Sequence, residues 1–228
     1  LTIIWKEIER NMRDSNSKEF NWEEFEKAVS FLKSEIDRLK WRDVIKAACG
    51  KKVLAFNKDT TEAINILDMW IRENLHFLQR EGLTYEGRIN EFGNFMEKQL
   101  EKKFEHKDLK FLPVLNSNGK SQSSGYPDYK MGYKKNIIYG DCKVISTKTE
   151  TSSYRSFYYQ PTKTGKVLED APHFLLVFIR EGKDGNNPPF KIVDYKIVDL
   201  YDFTVSFKAE FNANNIETFN LKELSKKT

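Results

Sequence analysis

Three residues close together in the sequence combine the groups needed to handle a phosphate. Asp128 follows Pro127, and Asp141 stands two residues before Lys143 in a stretch flanked by Ile137-Ile138 and Val144-Ile145. Side chains alternate across a strand, so Asp141 and Lys143 share one face. Residues 131–136, which include Gly132, read as a hairpin turn. If Asp128 pairs near Tyr139 across that turn, Asp141 is its diagonal neighbour, with side-chain roots roughly 7 to 8 Å apart. Two carboxylates so placed can share a hard divalent cation such as magnesium, which takes oxygen ligands and keeps several waters, and the backbone carbonyl of Cys142 offers a third ligand. A cation held there would neutralise a scissile phosphate and activate a water. Lys143 would orient the attacking hydroxide or stabilise the developing charge. Phosphodiester hydrolysis is the chemistry this arrangement suits. It calls for no serine triad, and His76, His106 and His173 show no metal-ligand spacing.

Pro127-Asp128 followed by Asp141-Cys142-Lys143 on an apolar strand resembles the Pro-Asp…Asp/Glu-x-Lys signature of the PD-(D/E)xK restriction endonuclease-like nuclease superfamily. Among its members the chain looks most like a type II restriction endonuclease. The resemblance implies an α/β/α core and magnesium-dependent, sequence-specific cleavage of double-stranded DNA by a homodimer, leaving 5′-phosphate ends. It also implies a helix ahead of the motif that adds another acid. The segment 88–100 fits, with Phe92, Met96, Leu100 and Phe104 stepping by four as a packing ridge and Gly93 and Glu97 on a neighbouring face. A glycine at 93 is expected to let the helix approach the sheet and bring Glu97 to the metal, with Glu91 as the weaker alternative. A repair or junction-resolving nuclease of the same superfamily, or a DNA-binding protein without catalysis, are the competing readings.

Beyond the lysine strand, residues 146–164 carry Lys148, Arg155, Tyr159, Gln160 and Lys163 among many hydroxyls, with Glu150 the one acid. Such residues suit a phosphate backbone and base edges. Asn212 and Asn214, at the end of an alternating stretch 203–212, are further candidates for contact with DNA.

The elements that must position these groups divide the chain in two. A helical region is expected over 1–83 and a nuclease core with a central sheet over 84–228. Helices are expected over 21–40, on the apolar spacing of Phe25, Val29, Leu32, Ile36 and Leu39, over 60–80 with Gly82 as its end, and over 85–104. Residues 105–111 read as a charged linker and 116–125 as a loop. Strands are expected over 137–146, 173–180, 190–200 and 203–212. Helices followed by strands give an α+β class with a central mixed sheet flanked by helices.

At 228 residues the chain can bury a full core, and its net charge of +4 neither demands nor excludes a polyanionic partner. Cys49 and Cys142 stand too far apart for a cysteine-rich zinc site and suit a reducing, cytoplasmic setting. The longest apolar run, 174–179, is far too short to span a bilayer.

Overall fold

The computed structural model describes residues 38–207 except 123–124, 150–156, 163 and 183–187, together with Glu23, Glu24, Glu26, Lys27 and Ser30. The chain divides into two compact units, Lys40–Thr204 and the pair of segments Leu1–Leu39 and Val205–Thr228. In the second unit the described residues include Glu23 and Lys27, an exposed helical ion pair at 2.6 Å. The 21–40 helix and the 203–212 strand lie for the most part outside the described residues. Leu39 and Lys40 are extended rather than helical, just after Arg38 turns to φ 60°.

The larger unit carries every element around the motif. Helix α1 (Trp41–Cys49) falls in the region expected to be helical but was not delimited as a helix of its own; it buries Trp41 and Ile45 and ends on Gly50 at φ 70°, a conformation glycine adopts without steric penalty. Helix α2 (Lys58–Glu73) starts on Asn57, whose side chain accepts from Thr60 N–H while the Thr60 hydroxyl accepts from Asn57 N–H. This reciprocal cap satisfies two backbone donors. The single helix expected over 60–80 is two, because Asn74 turns its side-chain amide onto the Trp70 carbonyl at 2.9 Å and helix α3 (Leu75–Thr84) starts afresh. Gly82 is inside α3 rather than at its end. A Cβ there would stand 2.9 Å from the Phe190 carbonyl, so glycine is what lets α3 lie close to the sheet. Helix α4 (Phe92–Lys103) begins later than 85, after a short 3-10 turn, Ile89–Glu91.

Among the described residues the central sheet has five strands, β1 (Leu109–Leu112), β2 (Tyr129–Tyr133), β3 (Asn136–Ser146), β4 (His173–Gly182) and β5 (Phe190–Asp199), in that spatial order. Only β3 and β4 run parallel, and every other neighbour pair is antiparallel. The chain is thus an α+β protein with a mixed central sheet flanked by helices, as a restriction endonuclease-like core requires. Residues 109–112, expected as linker, form the edge strand instead. Strand β4 is buried on both faces: Phe174, Leu176 and Phe178 join Leu67, Ile71, Phe92, Met96 and Leu100 of the helices, while His173, Leu175 and Val177 are buried on the opposite side. Trp41 packs edge-on to Tyr126, Phe157 and Tyr159 at 4.9 to 5.1 Å between ring centres. No helix among the described residues is long and apolar enough to cross a membrane.

Candidate active site

The hairpin between β2 and β3 turns at Lys134 and Lys135, not over 131–136, and Lys134 takes φ 52°. Gly132 is a strand residue under Leu112. The register therefore differs from the expected one: Lys130 faces Tyr139 and Tyr129 faces Gly140, so Asp128, one step further, comes level with Asp141 rather than diagonal to it. From this pairing follows the form of the site. Strand β2 pairs with β3 only as far as Gly140, whereas β4 pairs with it from Tyr139 to Ser146. From Asp141 onward, among the described residues, β3 is paired with a neighbouring strand on one side alone. On its open side the Cys142 N–H donates to Asp128 Oδ2 at 2.9 Å.

Gly140 adjoins this opening. A Cβ on it would fall 2.3 Å from the Phe174 ring, which crowds the glycine and is stacked with Tyr129. The ring fixes the backbone just where the acid must emerge.

Asp141 is almost wholly buried, at 2% exposure. Lys143, from the same face, forms an ion pair with Asp141 and reaches Asp128 Oδ2 at 3.5 Å, and it donates to the Cys142 carbonyl at 2.9 Å. Burial and the neighbouring Asp128 charge push the Asp141 carboxyl well above the ordinary carboxylate range, against the pull of Lys143. Burial disfavours the Lys143 charge, but Asp141 and Asp128 outweigh it and hold the ammonium above its usual value. Lys143 is accordingly a donor at neutral pH, not a base.

Glu97 is half-buried on α4, and its carboxyl is pushed up to about 8, by burial first and then by Asp128, Glu101 and Asp141. The four acids thus feel one another across the open side of β3. The glycine argument for Glu97 fails, since a Cβ on Gly93 would meet nothing within 4 Å. What brings Glu97 in is the buried ridge of Phe92, Met96 and Leu100, which seats α4 against the sheet. Glu91 is exposed at the helix start.

Among the described residues no three His, Cys, Asp or Glu side chains are drawn together tightly enough to form a ready metal cage. The residues nonetheless fit a magnesium-type ion, which needs one or two carboxylates and retains its waters. Asp128 and Asp141 already converge on one cation, the Lys143 ammonium. Like charges gathered and desolvated in this way gain from a further positive charge.

A contact absent from the sequence reading supports Asp128. The Tyr126 hydroxyl and His173 Nδ1 are 2.7 Å apart and both groups are buried, which ties the residue two before Asp128 to the start of β4. No local pattern signals a contact across 47 residues. Of the expected DNA-contacting residues, Lys148 is exposed in the turn directly after β3, and Gln160 is exposed and accepts from the Tyr158 hydroxyl at 3.0 Å. Tyr159 is turned inward, with its hydroxyl 3.3 Å from Cys49 Sγ and its ring against Trp41 and Tyr126. Arg155, Lys163, Asn212 and Asn214 lie outside the described residues.

The model of the type II restriction enzyme MjaV family matches residues 35–222. The type II restriction enzyme MjaV of Methanocaldococcus jannaschii is 29% identical over 218 residues, covering 87% of this chain and 92% of that protein. No solved structure matches the chain.

Proposed function

The chain belongs to the type II restriction enzyme MjaV family and is a restriction endonuclease, and from that premise we propose that it hydrolyses double-stranded DNA with magnesium at Asp128, Asp141 and Lys143, leaving 5′-phosphate ends. The observation that carries this reading is the convergence of Lys143 on both acids beside the unpaired half of β3.

Asp128, Asp141, the Cys142 carbonyl and Glu97 would hold the metal. Magnesium, when bound, supplies positive charge to the scissile phosphate and acidifies a water. Asp128 is fixed for its part by the Cys142 N–H, so its second oxygen is left for the ion. Asp141 keeps its position because β4 pairs with β3 along its whole length beyond the opening. Burial and mutual repulsion raise the Glu97 and Asp141 carboxyls, so a bound cation would favour their ionised forms. Lys143, charged and bound to the Cys142 carbonyl, presents a donor that orients the attacking water and meets the charge that develops on the phosphate. Lys148 and Gln160 would meet the DNA beyond the catalytic strand, with Arg155, Lys163, Asn212 and Asn214 as further contacts. Two copies related by a two-fold axis would set one site on each strand of a symmetric sequence.

The test is plasmid and phage DNA incubated with the protein and magnesium, then with Asp141→Ala and Lys143→Ala. Discrete fragments with 5′-phosphate ends are expected from the native protein, and both variants are expected to lose at least about 100-fold in rate. DNA left intact on every sequence tried, or fragments that persist with both variants, would refute the proposal.

A further inference from the structure

Asp128 stands one residue before β2, so among the described residues no strand pairing holds it, whereas Asp141 lies within β3 and is paired with β4. If the two carboxylates are to share one ion, Asp128 must nevertheless be kept level with Asp141. One hold is the Cys142 N–H, which donates to Asp128 Oδ2 at 2.9 Å. The other is two residues upstream. Tyr126 is buried, and its hydroxyl shares a hydrogen bond of 2.7 Å with His173 Nδ1.

His173 is itself fixed beside the strand that carries the other acid. It pairs with Tyr139 in the β3–β4 ladder, two residues before the Asp141–Leu175 pair, and its ring stands edge-on to the Tyr139 ring at 5.3 Å between centres. The His173 carbonyl accepts from the Leu200 N–H at 3.0 Å, and the Pro172 carbonyl accepts from the Tyr139 N–H at 3.0 Å. The Tyr126–His173 bond therefore joins the approach to Asp128 to the approach to Asp141. Trp41, Tyr159 and Phe157 pack round the Tyr126 ring, with centres 4.9, 5.9 and 6.0 Å from it. The imidazole comes at an energetic cost that packing does not require: His173 is fully buried, and its Nε2 has no hydrogen-bond partner among the described residues. An apolar side chain of similar size would avoid that cost but could not hold the Tyr126 hydroxyl.

We propose that Tyr126 is a positioning residue of the metal site: its hydroxyl, held by His173, keeps Asp128 level with Asp141, so that a magnesium ion meets two carboxylates already in place. This assignment rests on the nuclease reading above. Tyr126 acts through Asp128 and touches neither the ion nor DNA. A chain without the bond keeps both ligands but must order Asp128 when the ion binds, so the loss falls on metal affinity more than on the rate once metal is bound.

The experiment compares the native protein with Tyr126→Phe, which removes the hydroxyl and keeps the ring, and with Ile71→Val, which loosens the core under α2 away from the acids. Single-turnover cleavage of a mapped plasmid site gives the magnesium concentration for half-maximal rate and the rate at saturating magnesium. Calorimetric titration of the DNA-free proteins with Mn2+ gives metal binding without turnover, and the melting temperature is measured for all three. For Tyr126→Phe the half-maximal magnesium concentration should rise about 10-fold and Mn2+ should bind correspondingly more weakly, with the saturating rate within about threefold of native. Ile71→Val should melt earlier and keep the native metal dependence. A Tyr126→Phe protein whose magnesium dependence and Mn2+ affinity both stay within about threefold of native overturns the proposal and leaves the nuclease reading standing. So does an Ile71→Val protein whose magnesium dependence moves as far as that of Tyr126→Phe, since the hydroxyl would then act through general stability. A lower saturating rate with unchanged metal dependence also overturns it. A native protein that cuts no DNA refutes the nuclease reading, and the role of Tyr126 with it.

Discussion

Acidification should weaken this fold through one buried histidine, and the size of the effect can be worked out. His173 begins β4, is fully buried, and meets the Tyr126 hydroxyl at 2.7 Å, while its Nε2 finds no partner among the described residues. Burial holds the imidazole neutral, with its pKa pushed down to about 3. In the unfolded chain a histidine takes up its proton near pH 6.5. The folded value is depressed, so the stabilisation is fully present above pH 6.5 and is lost as pH falls toward 3. Within that window the unfolded state binds one more proton, and stability declines by about 1.4 kcal/mol per pH unit, or about 2 kcal/mol between pH 7 and pH 5. Glu97, pushed up to about 8, acts in the opposite sense: its contribution grows as pH falls through the same range. The readout is therefore the difference between native protein and His173→Gln in urea unfolding at pH 7, 6 and 5, not the native slope by itself. The native protein should lose about 2 kcal/mol more than the variant over that span. Parallel curves, or an imidazole that titrates near pH 6.5 by NMR in the folded protein, would refute the reasoning.

Two further outcomes follow from the site. Gly140→Ala should cost about 1 to 3 kcal/mol in urea unfolding, because its Cβ would fall 2.3 Å from the Phe174 ring, itself fully buried against Tyr129; an unchanged midpoint would show that the ring can move aside. Glu97→Gln should raise the magnesium concentration for half-maximal cleavage on the order of 10-fold while the rate at saturating metal changes less, and superimposable magnesium titrations would remove Glu97 from the site.

The parts legible in the sequence were those that depend on near neighbours. Residues 137–146, 173–180 and 190–200 appear as strands because long apolar runs in β3 and β4 and alternation in β5 are properties of each strand alone. The ridge of Phe92, Met96, Leu100 and Phe104 was equally plain, and all four are buried. The hairpin was misread because Gly132 drew the turn toward itself. The turn instead falls on two lysines, and the first of these adopts a positive φ while its ammonium holds Asp59 at 2.8 Å and Glu62 at 3.0 Å on α2. Strand β1 was hidden by its four-residue length beside the charged run 105–108, since an edge strand this short carries too little alternation to read. Asp128, Asp141 and Lys143 could be found because strand alternation and one hairpin unite them. The Tyr126–His173 contact depends on segments that meet through the tertiary fold.

One structural decision underlies both the chemistry and the cost of the site. If β2 continued to pair with β3 past Gly140, the Cys142 N–H would have a backbone partner and Asp128 would be one more strand residue. Because the pairing stops there, that N–H is left to orient the Asp128 carboxylate, and Asp141 and Lys143 emerge beside a gap whose charges are felt by Glu97 on α4. The same gap leaves Asp128 and Asp141 beside one another in desolvated surroundings, an arrangement that raises the energy of the site. Phe174 across Gly140 and the full-length pairing of β3 with β4 hold the strand in place despite that repulsion. Stability is thus concentrated on the β4 side of the strand and the proposed chemistry on the β2 side. A substitution in β4 beyond His173 should therefore act on cleavage through folding, whereas one at Asp128, Asp141 or Lys143 should act on cleavage with little loss of fold.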